Sequence, residues 1–234
     1  MVKLIAHRGL SKYYPENTLL AYKEASNKGF KYVECDISFT KDKVPVLLHD
    51  DSIDRTSNVK GKINKLLYND ILKYDFGNNE KIPLFYDFLK LCKELNLIPY
   101  IELKPIKNKR LIKEYVNILI NNVKELDMDN NIVWISFSID FLKEINKYSK
   151  ARLGLIINKF NIKRKIAKTF LKLRNDRETL FIDHYYGKIN NRIVNDCINN
   201  NLKLEVWTVN NMDEYKKLNS YISGITCNYN FMEE

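Results

Sequence analysis

The stretch IPLFYDFLKLCKELNLIPYIELK, Ile82 to Lys104, holds one complete structural unit in 23 residues. Within LFYDFLKLCKEL the apolar positions recur at three and four, the period of a helix with one buried face. Seven residues of another kind follow. IPYIELK (98–104) is short and apolar, as a buried strand is, and then stops on Glu102 and Lys104. A helix that feeds a strand with charged residues at its far end is the repeat of a parallel β/α protein.

Working outward from it, seven more strand-like runs appear. They are KLIAH (3–7), YVECDISF (32–39), IVWISF (132–137), RLGLII (152–157), LFIDH (180–184), LEVWTV (204–209) and GITC (224–227). Helical stretches such as ENTLLAYKEASNK, RLIKEYVNILINNVKEL and INNRIVNDCINNN lie between them. Eight strands alternating with helices fit a (β/α)8 TIM barrel, and an open doubly wound sheet shares that pattern. HRGLSKYYPENT, which follows the first strand, lacks the second and third glycines of a dinucleotide turn, which argues against the open nucleotide-binding sheet. One segment breaks the rhythm. Residues of about 44–82 run on after the second strand for far longer than an ordinary connection, and they carry a short strand of their own at Val46–Leu48, ending on His49.

Length and composition agree with one barrel domain over residues 1–234. At 45% apolar residues the chain can fill a single core. The opening MVKLIAHRG turns polar at once, unlike a secretory leader. No apolar run approaches the roughly 18 residues of a membrane span. Cys35, Cys92, Cys197 and Cys227 are scattered, without paired spacing, and read as buried small hydrophobes of a reducing compartment. These features predict a cytoplasmic protein. The net charge is +10, from 39 Lys and Arg against 29 Asp and Glu, but no run of five or six basic residues concentrates it. Nucleic acid is therefore not an expected partner. The basic, helix-periodic stretch KFNIKRKIAKTFLKLR (159–174) leaves peripheral contact with a membrane surface open.

In a barrel, reactive groups gather where strands end. The first strand delivers His7 and Arg8, and the inserted one His49 and Asp50. Side chains alternate along a strand, so Glu34 and Asp36 share a face while Cys35 packs on the other. Glu102 and Lys104 likewise share a face, with Leu103 turned outward. Two such pairs in register put three carboxylates and one ammonium around one mouth. Crowded carboxylates raise one another's pKa unless a cation holds them. Three oxygen donors suit one hard divalent ion, Mg²⁺ or Ca²⁺, and no Cys/His set for zinc is present. Singly, each feature also has a plain reading: PENT as a helix start, DRT (54–56) as a turn with a surface ion pair, a strand-end histidine as structural.

Together, HRG…PENT…ECD…TKD…VPVLLHD…DRTS…IELK…WTVN resembles the glycerophosphodiester phosphodiesterases, densely over residues 4–105 and again at Trp207–Asn210. The resemblance implies a (β/α)8 barrel with a small insertion after the second strand. It implies that Glu34, Asp36 and Glu102 bind one divalent metal, and that His7 and His49 are an acid–base pair. Arg8 and Lys104 would hold the phosphodiester, with Trp207 also in the substrate site. Glu16, Asn17 and Asp50 would be supporting residues at the rim. The activity implied is metal-dependent hydrolysis of a glycerophosphodiester to glycerol 3-phosphate and an alcohol, opened either by water or by the substrate's own glycerol 2-hydroxyl. The closing turn TCNYN departs from the family's usual Thr-Asp/Asn-Tyr-Pro, with Cys227 and Asn230 at the Thr and Pro places. His184 ends a strand and could face the pocket, with no role implied.

Three other readings compete. The same site could serve lysophospholipase D-type cleavage of lysophospholipids. A basic barrel without catalysis could bind anionic lipid or nucleic acid. Lys104 could form a Schiff base, although neighbouring carboxylates favour its charged form.

Overall fold

The computed structural model describes residues 2–106, 108–159, 164–218 and 220–232. Nine strands form one sheet: β1 (Lys3–His7), β2 (Tyr32–Phe39), β3 (Pro45–Leu47), β4 (Ile98–Leu103), β5 (Val133–Ser136), β6 (Arg152–Ile157), β7 (Leu180–Tyr185), β8 (Lys203–Trp207) and β9 (Ile222–Cys227). Their spatial order is β1-β9-β8-β7-β6-β5-β4-β2-β3, and a further β1–β2 pairing closes the ring. Eight of them are parallel around the ring; only β3 runs antiparallel, against the outer end of β2. This is a closed eight-stranded barrel, so the open sheet is excluded. Three strand-like runs match their strands end to end (3–7, 32–39 and 152–157), and the inserted strand lies one residue earlier than expected.

The described α-helices are α1 (Leu19–Asn27), α2 (Tyr68–Ile71), α3 (Phe85–Glu94), α4 (Arg110–Glu125), α5 (Ile139–Ile145), α6 (Arg164–Leu171), α7 (Asn191–Asn199) and α8 (Met212–Lys216). Their apolar spacing decides which face turns to the sheet. In α4, Ile112, Val116, Leu119, Ile120 and Val123 make one buried stripe. The sequence places the start of α1 at Pro15–Thr18, and there Thr18 caps the helix by accepting from the Ala21 N–H at 3.2 Å. The basic stretch 159–174 contains α6, while its residues 160–163 lie outside the described ones.

Alternation along the strands divides the core into two. Outward residues such as Val33, Cys35, Ile101, Leu103, Leu153 and Ile182 pack under the helices. Inward residues Ile5, Tyr100, Val133, Ile135, Ile156 and Phe181 fill the barrel itself. Gly154 is needed for that filling, because a Cβ there would sit 2.3 Å from the Phe181 ring. Toward the strand N-termini the barrel is closed by Glu205, which meets Lys3 at 2.6 Å and Arg152 at 3.2 Å. The excursion after β2 has an apolar cluster of its own, from Val46, Leu48, Ile53, Ile63, Ile71, Phe76 and Ile82. It packs beside the strand C-termini and delivers His49 there.

Candidate active site

At the C-terminal end of β1 the chain turns sharply. Arg8 adopts φ +58°, a left-handed conformation uncommon for a residue with a side chain. Gly9 follows at φ +80°, where a Cβ would strike the Ala21 backbone at 2.7 Å. The turn aims both parts of Arg8 inward. Its backbone N–H donates to Glu34 Oε2 at 3.1 Å. Its guanidinium donates from Nη1 to Glu16 Oε1 at 2.9 Å and brings Nε 3.1 Å from Asp36 Oδ2. Asn17 Nδ2 donates to the same Asp36 oxygen at 3.0 Å, and Asn17 Oδ1 accepts from the Tyr22 hydroxyl at 2.9 Å.

Glu34, Asp36 and Glu102 each offer an oxygen within 4.8 Å of the others. The register explains this: β2 lies between β1 and β4, with His7 opposite Glu34 and Asp36 opposite Glu102. The three carboxylates are treated unequally. Lys104 Nζ stands 3.1 Å from Asp36 Oδ1 and also donates to the carbonyl oxygen of His49. Burial works against the Asp36 charge, but Lys104 and Arg8 overcome it and hold the carboxyl below its usual range. Glu34 is pushed well up, first by burial and then by Asp36 and Glu102. Glu102 is pushed up to about 8 by burial and then by Asp36. Glu34 Oε1 is buried without a hydrogen-bond donor, and Asp36 Oδ1 has only its ion pair with Lys104. Oxygen-only donors, close-set and partly unanswered, fit a hard divalent cation.

The two histidines arrive from different segments. His7 Nδ1 meets Asn228 Oδ1 at 2.7 Å, and its Nε2 lies 4.0 Å from Glu34 Oε2. Burial, helped by Arg8, pushes the His7 imidazole down to about 4, so it is neutral at pH 7. An amide oxygen only accepts, so Nδ1 carries the proton and Nε2 keeps its lone pair. His49 Nδ1 faces Asp50 Oδ1 at 2.6 Å. Asp50 is held down at about 2, chiefly by the hydrogen bond from Arg55, with a further one from His49. Arg55 ties the insertion to the β1 loop, donating to Asp50 Oδ2 from Nε and to both Glu16 oxygens, each at 2.7 Å. The DRT stretch is therefore a clamp across the site as well as a turn.

These groups border one cavity of about 150 Å³. His7, Arg8, Glu34, His49 and Glu102 line one side; Ile135, Phe137, Ile156, Trp207, Asp183 and Thr226 line the other. Trp207 packs its ring near Phe137 and Tyr185, with centroids 5.8 and 5.4 Å away. A larger hollow of about 280 Å³ lies outside the barrel between α6 and α7 and contains none of the predicted site residues. Lys104, Asp36, Asp50, Glu16 and Asn17 surround the first cavity through the contacts above.

Four residues correct or extend the sequence reading. His184 faces away from the pocket: it is fully buried and its two ring nitrogens meet the carbonyls of Tyr185 and Lys159 at 2.8 and 2.9 Å. Leu180 and Ile182 share its outward side, and Asp183, one residue earlier, points inward. The inward phase of Phe181 is the signal that separates the two. Asn228, which follows β9, is the partner of His7; 221 residues separate them, and only closure of the barrel brings them together. Asn210 Oδ1 in turn accepts from the Asn228 N–H at 2.8 Å.

The sequence profile of the glycerophosphoryl diester phosphodiesterase family matches residues 7–228. A curated relative from Caldanaerobacter subterraneus subsp. tengcongensis, named glycerophosphodiester phosphodiesterase, is 29% identical over 92% of this chain and 88% of its own. Among solved structures, an Oleispira antarctica phosphodiesterase in complex with the product sn-glycerol-3-phosphate superposes with a TM-score of 0.85 at 22% identity. The match covers 97% of this chain and 93% of that one. A glycerophosphodiester phosphodiesterase from Parabacteroides distasonis gives 0.80 at 24% identity over 97% and 92%.

Proposed function

As the chain belongs to the glycerophosphoryl diester phosphodiesterase family and is a phosphodiesterase, we propose that it hydrolyses small glycerophosphodiesters to glycerol 3-phosphate and an alcohol. One observation carries this reading: around a single cavity, two close-set carboxylates left short of cations, Glu34 and Glu102, sit with two imidazoles and Arg8, and Lys104 stands behind them on Asp36. The product in the Oleispira antarctica relative supports it.

Glu34, Asp36 and Glu102 would hold one divalent ion, Mg²⁺ or Ca²⁺, which supplies Lewis acidity to a non-esterified phosphate oxygen. The remaining work falls to side chains. Arg8 and Lys104, both fixed on Asp36, direct positive charge at the phosphate and favour the charge that grows as the ester breaks. His7 Nε2, unprotonated at neutral pH and held by Asn228, takes the proton of the attacking hydroxyl. Water and the substrate's own glycerol 2-hydroxyl would lose it to the same nitrogen. His49 has its Nδ1 turned to Asp50, so Nε2 is free to deliver a proton to the departing alcohol oxygen. Glu16 and Asn17 position Arg8 and Asp36. Trp207 and Phe137 offer an apolar wall to the organic part of the substrate.

Lys104, paired with Asp36, is an engaged ammonium rather than a Schiff-base nucleophile. The small cavity favours compact diesters over lysophospholipids, whose acyl chain it does not house. The same reading takes residues 1–234 as one barrel domain with its insertion at about 44–82. The buried, unpaired cysteines support a cytoplasmic setting. No helix among the described residues is long and apolar enough to cross a membrane.

The test is incubation with glycerophosphocholine and either metal, with separation of the products. Glycerol 3-phosphate and choline are expected. Phosphocholine and glycerol, or no hydrolysis by folded protein, would contradict the proposal.

A further inference from the structure

Among the groups that face the cavity, Asp183 is the carboxyl that the phosphodiester chemistry leaves without a task. It lies on the inner face of β7, between Ile156 of β6 and Glu205 of β8 in register, and is only 5% exposed. Its Oδ1 is buried with no hydrogen-bond donor. The charged groups that bear on it are Glu205 and Glu102, carboxylates that favour no charge there. Lys3 and Arg152, which lie nearest Glu205, are spent on that residue. A buried acceptor without a donor is costly to keep, and in native structures such groups are answered by water or by a ligand.

The position of Asp183 says which ligand. The cation-binding carboxylates, Arg8 and Lys104 belong to β1, β2, β4 and the residues that follow them, so the phosphate lies on that side of the mouth. Asp183 is across the cavity, on a wall otherwise built from Ile135, Ile156, Phe137 and Trp207, with Thr226 as the other polar group. A phosphodiester anchored at its phosphate points one ester arm at this wall and the other at solvent. Three carbons bearing hydroxyls match an apolar wall with one or two placed acceptors. A plain alkyl arm would leave Asp183 unanswered.

We propose that Asp183 recognises the glycerol arm by accepting a hydrogen bond from one of its hydroxyls at Oδ1, and so sets the preference for glycerol esters over simple alkyl esters. The proposal rests on the phosphodiester reading above and adds the residue that reads the alcohol. Either protonation state of the carboxyl accepts such a bond, so the role does not depend on its titration.

The test compares sn-glycerol 3-phosphate with n-propyl phosphate, which keeps the phosphate and the three carbons but lacks both hydroxyls. Calorimetric affinities are measured with saturating Mg²⁺, and again with Ca²⁺, for the wild type, Asp183→Ala and Asp183→Asn. The wild type should bind glycerol 3-phosphate about tenfold more tightly than propyl phosphate. In Asp183→Ala that ratio should fall to about threefold or less, through weaker binding of glycerol 3-phosphate alone. Asp183→Asn, whose amide oxygen still accepts, should keep part of it, and thermal melts should show both variants folded. An unchanged ratio in Asp183→Ala, or equal weakening of both ligands, would overturn the role of Asp183 and leave the phosphodiester reading standing. Failure of the wild type to bind either phosphate would bring down both.

Discussion

The two ends of the barrel bury carboxylates on opposite terms. At the closed end one carboxylate, Glu205, stands within ion-pair distance of two cations, Lys3 and Arg152, and its Oε1 also accepts from the Tyr100 hydroxyl at 3.3 Å. At the open end three carboxylates share two cations, and both Arg8 and Lys104 gather on Asp36. Glu34 and Glu102 are left at raised pKa, short of charge compensation. The first arrangement balances its charge from within the chain, although Glu205 Oε2 itself has no hydrogen-bond donor. The second would be completed by positive charge from outside the chain. This contrast is what distinguishes a structural ion cluster from a binding site in the same barrel.

The largest effect that would break the comparison lies at the mouth. His7→Ala and His49→Ala should each lower kcat by at least about a hundredfold while the melting temperature holds, because they remove proton transfer and leave the ion clusters alone. Steady-state kinetics beside thermal melts would check this, and near-normal turnover in either variant would sink the acid–base assignment. Next in size, Glu34→Ala should weaken metal binding at least about tenfold, read by calorimetry. Its metal-free form should melt no lower than the wild type, since a strained carboxyl has been removed. Glu205→Gln should do the reverse. It should cost about 2 kcal/mol of stability in denaturant titrations and leave metal affinity unchanged, because Lys3 and Arg152 lose a charged partner far from the mouth. Equal effects of Glu34→Ala and Glu205→Gln on metal binding would erase the distinction between the two ends.

The smallest effect sharpens it through pH. Glu102 is raised from 4.5 to about 8, so its contribution to stability is full below pH 4.5 and is lost as pH climbs through 8. His7 is lowered from 6.5 to about 4, so its contribution is present above 6.5 and is lost as pH falls toward 4. The two oppose each other between 4.5 and 6.5. From 6.5 to 8 the His7 effect is spent while that of Glu102 remains, with the raised Glu34 acting in the same direction, and the metal-free protein should lose a few degrees of melting temperature. Bound Mg²⁺ or Ca²⁺ should flatten that decline. A metal-free melting temperature that rises over this range would contradict the cation-poor mouth.

Most of the mouth was legible from local sequence because its spacing is local. Glu34 with Asp36, and Glu102 with Lys104, are pairs two residues apart on single strands, and the alternation of a strand places each pair on one face whatever the rest of the chain does. The eight strand positions were legible for the same reason. What escaped depends on closure of the ring or on the phase of one strand. Asn228 meets His7, and Glu205 meets Lys3, only because the ring closes, with β9 beside β1 and β8 next after β9. His184 and Asp183 are adjacent, and choosing which faces inward requires knowing that Phe181 does. Arg55, set in an irregular insertion that no periodicity describes, joins Asp50 to Glu16, which lies 39 residues before it.

This mouth should act on a glycerophosphodiester only when a divalent ion supplies the missing charge. The most direct measurement is release of glycerol 3-phosphate from glycerophosphocholine by the purified protein, in parallel with EDTA, Mg²⁺ and Ca²⁺. No release is expected in EDTA, with recovery in at least one of the two ions. Release undiminished by EDTA after exhaustive chelation, or none with either ion from well-folded protein, would contradict it.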